Sequence, residues 1–400
     1  MFTKAFQQAT EIIDKLEKHG FEAYFVGGCV RDLLLHRNVG DIDIATAASP
    51  EIVQELFPKV IPVGIEHGTV IVRHKGESYE ITTFRKDGDY SDQRHPDDVT
   101  FINNIDDDLK RRDFTINALA MDKQGKIIDL FSGKKDLDAK IIRSVGNPRE
   151  RFMEDPLRII RGLRFASQLG FAIETETLRQ MKFLINEIET VAIERLTNEF
   201  SKIFQGEFVQ NSLNYLIQIQ GLKHLPIFSN NETLIERIPK PLTAFFSFAE
   251  VIAMFHYLEK DITITDWVKA WKCSNQIKRD AINIYEAVSY FKNNGIDPWL
   301  VYRLDFSNFR SFNHLIHLLF NKPSANLEIL YDKKQTLAIQ TRNDLKIDGH
   351  DIMKLFPRKN PGSWMQDILE TVEYKVVMNE LINNNQTIKE WIKCHPPETN

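Results

Sequence analysis

A chain of 400 residues with 42% hydrophobic and 27% charged residues has the composition of a globular protein. Its length exceeds the size at which a single hydrophobic core keeps growing, so we expect more than one domain. The net charge of −5 argues against a uniformly basic, nucleic-acid-coating surface. Cys29, Cys273 and Cys394 lie far apart, which predicts neither a disulfide framework nor a zinc site and fits a cytoplasmic protein.

The N-terminal segment lacks the apolar core of a signal peptide and places Phe6 and Ile13 on one helical face. This pattern predicts a first helix that begins after Thr3 and ends at Gly20. No stretch approaches the roughly 18 apolar residues of a membrane helix, so we expect no membrane segment.

Short strand patterns dominate the first third of the chain. FEAYFV (21–26) is a predicted strand that ends at Gly27-Gly28, and DIDIAT (41–46) is the next one. Ser49-Pro50 predicts a helix start with proline at the first helical position. The further strand candidates are VIPVG, the hairpin formed by TVIVRHKG and SYEITTFR, and GKIIDLF (125–131).

From about Asn147 onwards the patterns are helical. The sequence therefore predicts an α+β head (1–146), followed by an all-helical remainder. We divide that remainder into a neck (147–220), a body (221–304) and a tail (305–400).

Two acidic residues, Asp41 and Asp43, flank Ile42 in the strand DIDIAT. On a strand both carboxylates would project from one side, where their repulsion favours a bound cation. Hard oxygen ligands on a rigid strand suit Mg²⁺. Taken alone, the pattern also fits a surface strand with an acidic face.

The segment VGGCVRDLLL (26–35) runs from a strand through two glycines into a predicted helix. Backbone N–H groups at Gly28 and the side chain of Arg31 would suit a triphosphate beside the two aspartates. Gly27-Gly28 alone could equally be a plain tight turn.

Glu80 is the best candidate for a third carboxylate. It lies at the centre of SYEITTFR, where alternation puts Tyr79 and Ile81 on the opposite face. The alternative is a solvent-facing glutamate. With Asp41 and Asp43, Glu80 would form a two-metal site for nucleotidyl transfer.

Asp155, Arg158, Arg161 and Arg164 are spaced by three, which on a helix makes a slowly drifting stripe. An exposed, salt-bridged helix face would look similar. As a functional pair, the acceptor carboxylate of Asp155 and the donor guanidinium of Arg158 match cytosine and adenine. Both bases present an exocyclic amine beside a ring-nitrogen acceptor, whereas uracil and guanine do not.

Five motifs carry a family resemblance. They are GGCVRDLLL with DIDIAT, RRDFTINALAMD (111–122), DLFSGKKDL (129–137), EDPLRIIRGLRFA (154–166) and IERLTNEF (193–200). In this order they resemble the class II tRNA nucleotidyltransferases, the CCA-adding enzymes. The resemblance covers roughly the first 205 residues and is weak beyond them.

The resemblance implies a polymerase-β-like head followed by helical neck, body and tail, with the tail binding tRNA. It implies that Asp41 and Asp43 bind the metal and that Asp155 and Arg158 imitate Watson–Crick pairing. It assigns a further set to the phosphates or sugar of the nucleotide: Gly28, Arg31, Arg112, Arg161 and Arg164. Asp113 and Asn117 would be pocket or sugar contacts, with Glu194 and Arg195 bracing the pocket.

The segment DGDYSDQRHPDDV (87–99) is rich in charge and contains glycine and proline. Its composition fits either a mobile functional loop or a passive connector. In the family a flexible loop here accompanies the switch to ATP for the last addition, so its presence favours addition of the complete CCA.

We therefore predict a Mg²⁺-dependent enzyme that adds C, C and A to the tRNA 3′ end from CTP and ATP and releases pyrophosphate. DNA is not an expected partner. Two clusters could contact RNA phosphates or could be ordinary solvated faces: Lys269, Lys272, Lys278 and Arg279, and Lys354, Arg358 and Lys359. The alternatives are a poly(A) polymerase, an enzyme that adds only CC, and a non-catalytic tRNA-binding protein.

Overall fold

The structure of the protein is a computed structural model that describes residues 4–88, 99–322 and 327–396. The chain divides into two compact units, Met1–Glu232 and Thr233–Asn400. The first unit contains all the strands that the structure describes, and the second is helical. The predicted α+β head and helical remainder are thereby confirmed. The finer boundaries after residues 146, 220 and 304 stay predictions.

A mixed sheet of seven strands, ordered β3-β4-β5-β2-β1-β8-β9, organises the first unit. Its strands are β1 (Ala23–Val26), β2 (Asp43–Thr46), β3 (Val60–Gly64), β4 (Thr69–His74), β5 (Glu77–Thr83), β8 (Leu119–Met121) and β9 (Ile127–Asp129). Two further pairs are β6 (Arg85–Asp87) with β7 (Val99–Phe101), and β10 (Ile141–Ile142) with β11 (Ala172–Ile173). Every predicted strand of the head is present, with shorter ends for several.

The central pairing of the sheet joins β2 and β5 in parallel, so that Asp43 is the register partner of Glu80. The predicted alternation on β5 is confirmed, because Tyr79 and Ile81 are buried while Glu80 is exposed. Apolar residues on β2 point into the same core, where Ile44 is buried. Burial of one strand face therefore sets the direction in which Asp43 and Glu80 project.

The predicted strand DIDIAT is too long at its start. Strand β2 begins at Asp43, because its ladder with β5 begins there, and Asp41 lies on the bend before it. Asp41 is exposed to solvent. The prediction that both aspartates belong to one strand is therefore wrong for Asp41, although its charge still acts on Asp43 and Glu80.

Ten helices accompany the strands in the described part of the first unit. They are α1 (Lys4–Lys18), α2 (Gly28–Leu34), α3 (Pro50–Leu56), α4 (Ile105–Lys110), α5 (Gly133–Ala139), α6 (Pro148–Glu154), α7 (Leu157–Leu169), α8 (Thr175–Phe183), α9 (Ile193–Phe204) and α10 (Val209–Gln218). The helix start at Ser49-Pro50 is confirmed, since the Ser49 side chain caps the backbone N–H of Ile52.

Helix α7 carries three of the predicted arginines, but Asp155 does not belong to it. Asp155 ends α6 in an extended conformation and Pro156 precedes α7. A proline disfavours the helical conformation in the residue before it, which separates Asp155 from the stripe. The predicted helical stripe therefore holds for Arg158, Arg161 and Arg164 only.

A close approach between α7 and the turn after α9 fixes the position of this arginine helix. The backbone N–H of Phe208 donates to the carbonyl of Ser167 at 2.8 Å. A Cβ at Gly206 would lie 2.6 Å from the carbonyl carbon of Ser167, and it would also overlap the Ser167 hydroxyl. The turn can reach α7 only because residue 206 is glycine.

The second unit consists of helices around its own apolar core. Its helices are α11 (Phe248–Leu258), α12 (Ile264–Ala270), α13 (Asn275–Asn294), α14 (Pro298–Arg303), α15 (Phe309–Phe320), α16 (Leu327–Gln335), α17 (Gly349–Leu355), α18 (Ser363–Val377) and α19 (Asn385–Cys394). Trp267 and Trp271 are fully buried in this unit. Among the residues that the structure describes, no helix is long and apolar enough to span a membrane.

The Gly206→Ala variant tests the contact between α7 and the turn. We expect its free energy of unfolding to fall by about 1–3 kcal/mol, because the backbone at Ser167 must move. Gly40→Ala is the control, since nothing lies within 4 Å of a Cβ there, and we expect a change below about 1 kcal/mol. Urea unfolding of both variants measures the difference, and equal stabilities would mean that the turn does not depend on a glycine.

Candidate active site

A cleft of about 520 Å³ lies in the first unit, between the sheet and helix α7. Its lining is unusually rich in charge. The arginines are Arg31, Arg85, Arg111, Arg112, Arg158, Arg161, Arg164 and Arg195, and the carboxylates are Asp43, Glu80, Asp113 and Asp155. All predicted nucleotide-binding residues, including Gly28, therefore lie in one cleft. The excess of guanidinium groups suits a polyanionic ligand.

Asp43 and Glu80 form an acidic end within this cleft. Burial raises the pKa of Asp43 to about 6, with Glu80 and Asp41 adding repulsion and Arg112 opposing them. Burial also raises the pKa of Glu80, helped by the charge of Asp41. Carboxylates whose ionised forms are disfavoured by neighbouring negative charge favour a bound cation.

The acidic end fits a metal that completes its coordination from the substrate. Within residues 4–88, 99–322 and 327–396, no group of three or more His, Cys, Asp or Glu side chains is placed to hold a metal ion. Mg²⁺ commonly binds through one or two carboxylates together with substrate phosphates and water. Asp43 and Glu80 supply that number of carboxylates, whereas Asp41 does not line the cleft.

The glycine pair connects this acidic end to the arginines. Gly27 has φ +73°, and a Cβ there would come 3.0 Å from Nη1 of Arg112. Position 27 therefore favours glycine for its backbone conformation, and the absence of a Cβ also leaves room for Arg112. The Nε atom of Arg112 is buried and has no hydrogen-bond partner among the described residues.

A hydrogen-bonded chain runs from α2 to α7 across the cleft floor. Arg31 donates from Nη1 to Oδ1 of Asn117 at 2.7 Å, and Asn117 donates from Nδ2 to Oδ1 of Asp113 at 3.2 Å. Arg161 donates to Oδ2 of Asp113 from Nε at 2.9 Å and from Nη2 at 2.7 Å. This pairing holds the pKa of Asp113 at about 2 although the carboxyl is buried.

The predicted base-reading residues are joined through the backbone, where the N–H of Arg158 donates to the carbonyl of Asp155 at 3.0 Å, but their side chains pair with other residues. Asp155 accepts from Nη2 of Arg195 at 2.8 Å. Arg158 donates from Nη1 to Glu154 at 2.6 Å and to the Arg151 carbonyl at 2.9 Å, and from Nη2 to the Arg111 carbonyl at 3.1 Å. These bonds use three of the five N–H groups of Arg158, so donors remain among its described contacts.

Phe165 is a cleft residue that sequence reasoning missed. The guanidinium groups of Arg31, Arg161 and Arg164 lie 5.3, 5.8 and 4.3 Å from the centre of its ring. Cation–π contact with one ring stabilises three arginines at once. The sequence did not indicate a role for Phe165, because an aromatic residue one position after Arg164 is equally typical of a buried helix face.

Carboxylates behind the cleft are the second group that was missed. Asp32 pairs with Arg31 at 2.9 Å, Glu154 with Arg158 at 2.6 Å and Glu199 with Arg164 at 3.0 Å. Asp108 pairs with Arg111 at 2.7 Å and with Arg112 at 3.1 Å. None of these four acids lines the cleft. Carboxylates behind the cleft thus hold these arginines in place. Arg195, which was predicted to brace the pocket, pairs with Asp155 at 2.8 Å.

Two named proteins are similar to this chain over nearly its whole length. A protein of Oceanobacillus iheyensis named "CCA-adding enzyme" is 48% identical over 401 residues, which cover 100% of each chain. A second one, from Anoxybacillus flavithermus, is 38% identical over 99% of this chain and 98% of its own. The chain belongs to the CCA-adding enzyme family.

The domain families and solved structures agree with membership in the CCA-adding enzymes. Residues 23–143 match the family "Poly A polymerase head domain", 170–231 "Probable RNA and SrmB- binding site of polymerase A" and 246–392 "tRNA nucleotidyltransferase domain 2 putative". The CCA-adding enzyme of Bacillus stearothermophilus, solved in complex with CTP, is 34% identical with a TM-score of 0.88 over 98% of both chains. A Thermotoga maritima CCA-adding enzyme, 22% identical over 99% of this chain and 97% of its own with a TM-score of 0.60, shares the fold.

The Asp113→Asn variant tests the buried pair with Arg161. The folded-state pKa of about 2 lies below the ordinary 3.8, so the ionised carboxylate contributes roughly 2 kcal/mol at neutral pH. This contribution is complete above about pH 5 and is lost as the pH falls through about 2. We expect the stability gap between wild type and variant to narrow over that range in urea unfolding at several pH values.

The exposed Asp138 on α5 provides the control for this measurement. Asp138→Asn removes the same charge from an exposed site and should change stability by less than about 0.5 kcal/mol. A pH-independent gap for Asp113→Asn would contradict the assignment of a depressed pKa to this carboxyl.

Proposed function

We propose that this protein adds C, C and A in succession to the 3′ end of tRNA, using CTP and ATP without a template. The observation that carries the proposal is the juxtaposition, in one cleft, of Asp155 and Arg158 with a row of arginines and with the Asp43–Glu80 pair. This arrangement offers base selection, triphosphate binding and a cation site in one cleft.

Base selection follows from the hydrogen-bonding character of the two side chains. A carboxylate only accepts and a guanidinium only donates, so together they match the amine and ring nitrogen of cytosine or adenine. Uracil and guanine would leave a carbonyl against the carboxylate and an N–H against the guanidinium, which are unpaired in a buried site. The ion pair with Arg195 fixes the orientation of Asp155, and the ion pair with Glu154 fixes that of Arg158.

The remaining cleft residues suit the triphosphate. Arg112 and Arg31 lie beside Gly27-Gly28, where they would bind phosphate oxygens and neutralise the pyrophosphate as it leaves. Asp43 and Glu80 would hold Mg²⁺, with Asp41 as an outer ligand on the preceding bend. When bound, that ion lowers the pKa of the attacking hydroxyl and stabilises charge on the phosphates.

The partners follow from the same chemistry. The attacking group is the terminal hydroxyl of an RNA, for which the CCA-adding relatives support tRNA, and the solved relative with bound CTP supports the first nucleotide. The three cysteines, Cys29, Cys273 and Cys394, are free thiols in the structure, which suits a reaction in the cytoplasm. The loop predicted at 87–99 falls largely outside the described residues, so its link to ATP selection stays a prediction.

The direct test is to incubate the protein with Mg²⁺, all four nucleoside triphosphates and a tRNA that ends at its discriminator base. Sequencing of the extended 3′ ends should show CCA followed by arrest. CC alone would indicate the CC-adding alternative, and a run of A a poly(A) polymerase. No extension would favour a tRNA-binding protein without catalysis.

The Asp43→Asn and Glu80→Gln variants test the cation site. Loss of a carboxylate ligand should lower kcat by on the order of 10³-fold for Asp43 and at least tenfold for Glu80, since the cation contributes several kcal/mol. The melting temperature should hold or rise, because one like charge is removed. Glu77→Gln on the same strand is the control, and wild-type turnover in Asp43→Asn would refute the assignment.

The Arg158→Ala variant tests base selection. Without the discriminating donor, the ratio of kcat/KM for CTP over UTP should fall by on the order of 100-fold, because a site that hydrogen-bonds a base edge derives its selectivity from that bond. Single-nucleotide addition with each triphosphate measures this ratio. Arg149→Ala, at an exposed site on α6, should leave the ratio unchanged; an unchanged ratio in Arg158→Ala would place base reading elsewhere.

A further inference from the structure

Asp108 is a buried charge that the functional site does not use directly. It lies on the short helix α4 and has no exposed surface, whereas the side chain of its neighbour Asp107 is 39% exposed and pairs with Lys110. Burying an ionised carboxylate is costly unless charged partners and hydrogen bonds compensate. The partners of Asp108 must therefore compensate for the cost of burying its charge.

Both oxygens of Asp108 bind arginines that line the cleft. Oδ1 accepts from Nε and Nη2 of Arg111 at 3.0 and 2.7 Å, and Oδ2 accepts from Nη2 of Arg112 at 3.1 Å. The two guanidinium groups hold the pKa of this carboxyl below its ordinary value despite its burial. One carboxylate thus fixes two cations from behind.

The two arginines lead to opposite ends of the cleft. Arg112 packs on Gly27 at the acidic end, where its charge acts on Asp43. The backbone carbonyl of Arg111 accepts from Nη2 of Arg158 at 3.1 Å at the base-reading end. A shift of Asp108 would therefore move groups at both ends together.

We propose that Asp108 is a positioning residue that sets the spacing between the triphosphate-binding and base-reading ends of the cleft. It contacts no substrate and acts through Arg112 and through the Arg111 backbone. This inference rests on the proposed function, because it assumes that one nucleotide spans the cleft.

The test compares Asp108→Asn with Asp107→Asn, the same change on the adjacent, exposed residue of α4. An amide replaces one of the two carboxylate oxygens by a donor nitrogen and removes the charge, so one of the two guanidinium groups would face an N–H instead of an acceptor. We expect the Kd of CTP, measured by calorimetry without tRNA, to rise on the order of 10- to 100-fold in Asp108→Asn. Its preference for CTP over UTP should fall as well, while Asp107→Asn binds both nucleotides as wild type does.

A double-variant cycle separates positioning from general loss of structure. If Asp108 acts through Arg112, adding Asp108→Asn to Arg112→Gln should weaken CTP binding much less than it does in the wild type. Effects that simply multiply would overturn the proposal. Should Asp108→Asn not fold, Asp108→Glu replaces it, since it keeps the charge but displaces the oxygens by one methylene; CTP binding equal to wild type would then contradict the role.

The wild-type measurement separates this inference from the proposed function. A wild-type protein that does not bind CTP in the presence of Mg²⁺ would refute the nucleotide site itself. A wild type that binds CTP selectively, together with an Asp108→Asn variant that binds it equally well, would refute only the role of Asp108.

Discussion

Guanidinium groups concentrated in one cleft repel each other. In this structure, seven of the eight arginines that line the cleft pair with a carboxylate. Four of these partners, Asp32, Asp108, Glu154 and Glu199, lie behind the cleft and do not face a ligand. The ion pairs orient the arginines and limit their mutual repulsion, while the surface toward the ligand keeps an excess of donors. Electrostatic preorganisation of this kind lets a protein bind a polyanion without reorganising at the moment of reaction.

The acidic end depends on a different constraint, the parallel register of β2 and β5. This pairing places Asp43 directly beside Glu80, on strands whose other faces are buried in the sheet core. Their positions cannot relax apart without breaking the ladder, so burial, and after it the repulsion from Glu80, keeps the pKa of Asp43 raised. The cleft thus combines a rigid acidic end that favours a cation with a row of arginines that favours an anion.

Sequence reasoning succeeded where the signal was local. Alternation identified the outward face of β5 with Glu80, and the i, i+3 spacing identified the arginines of α7. It failed at Asp155, where the following proline ends the helical pattern. Partners distant in sequence were out of reach: Arg195 and Asp155 are 40 residues apart and Arg161 and Asp113 are 48, and only the packing of α7 joins them.

Crystal structures of the protein with CTP and with ATP, each with Mg²⁺, would show whether one cleft selects both nucleotides. Either base should place its amine on Asp155 and its ring nitrogen on Arg158. The triphosphate should reach Arg112, and the ion should contact Asp43. A base held by other side chains, or a triphosphate bound away from the Asp43–Glu80 end, would contradict the claim that one preorganised cleft selects both nucleotides.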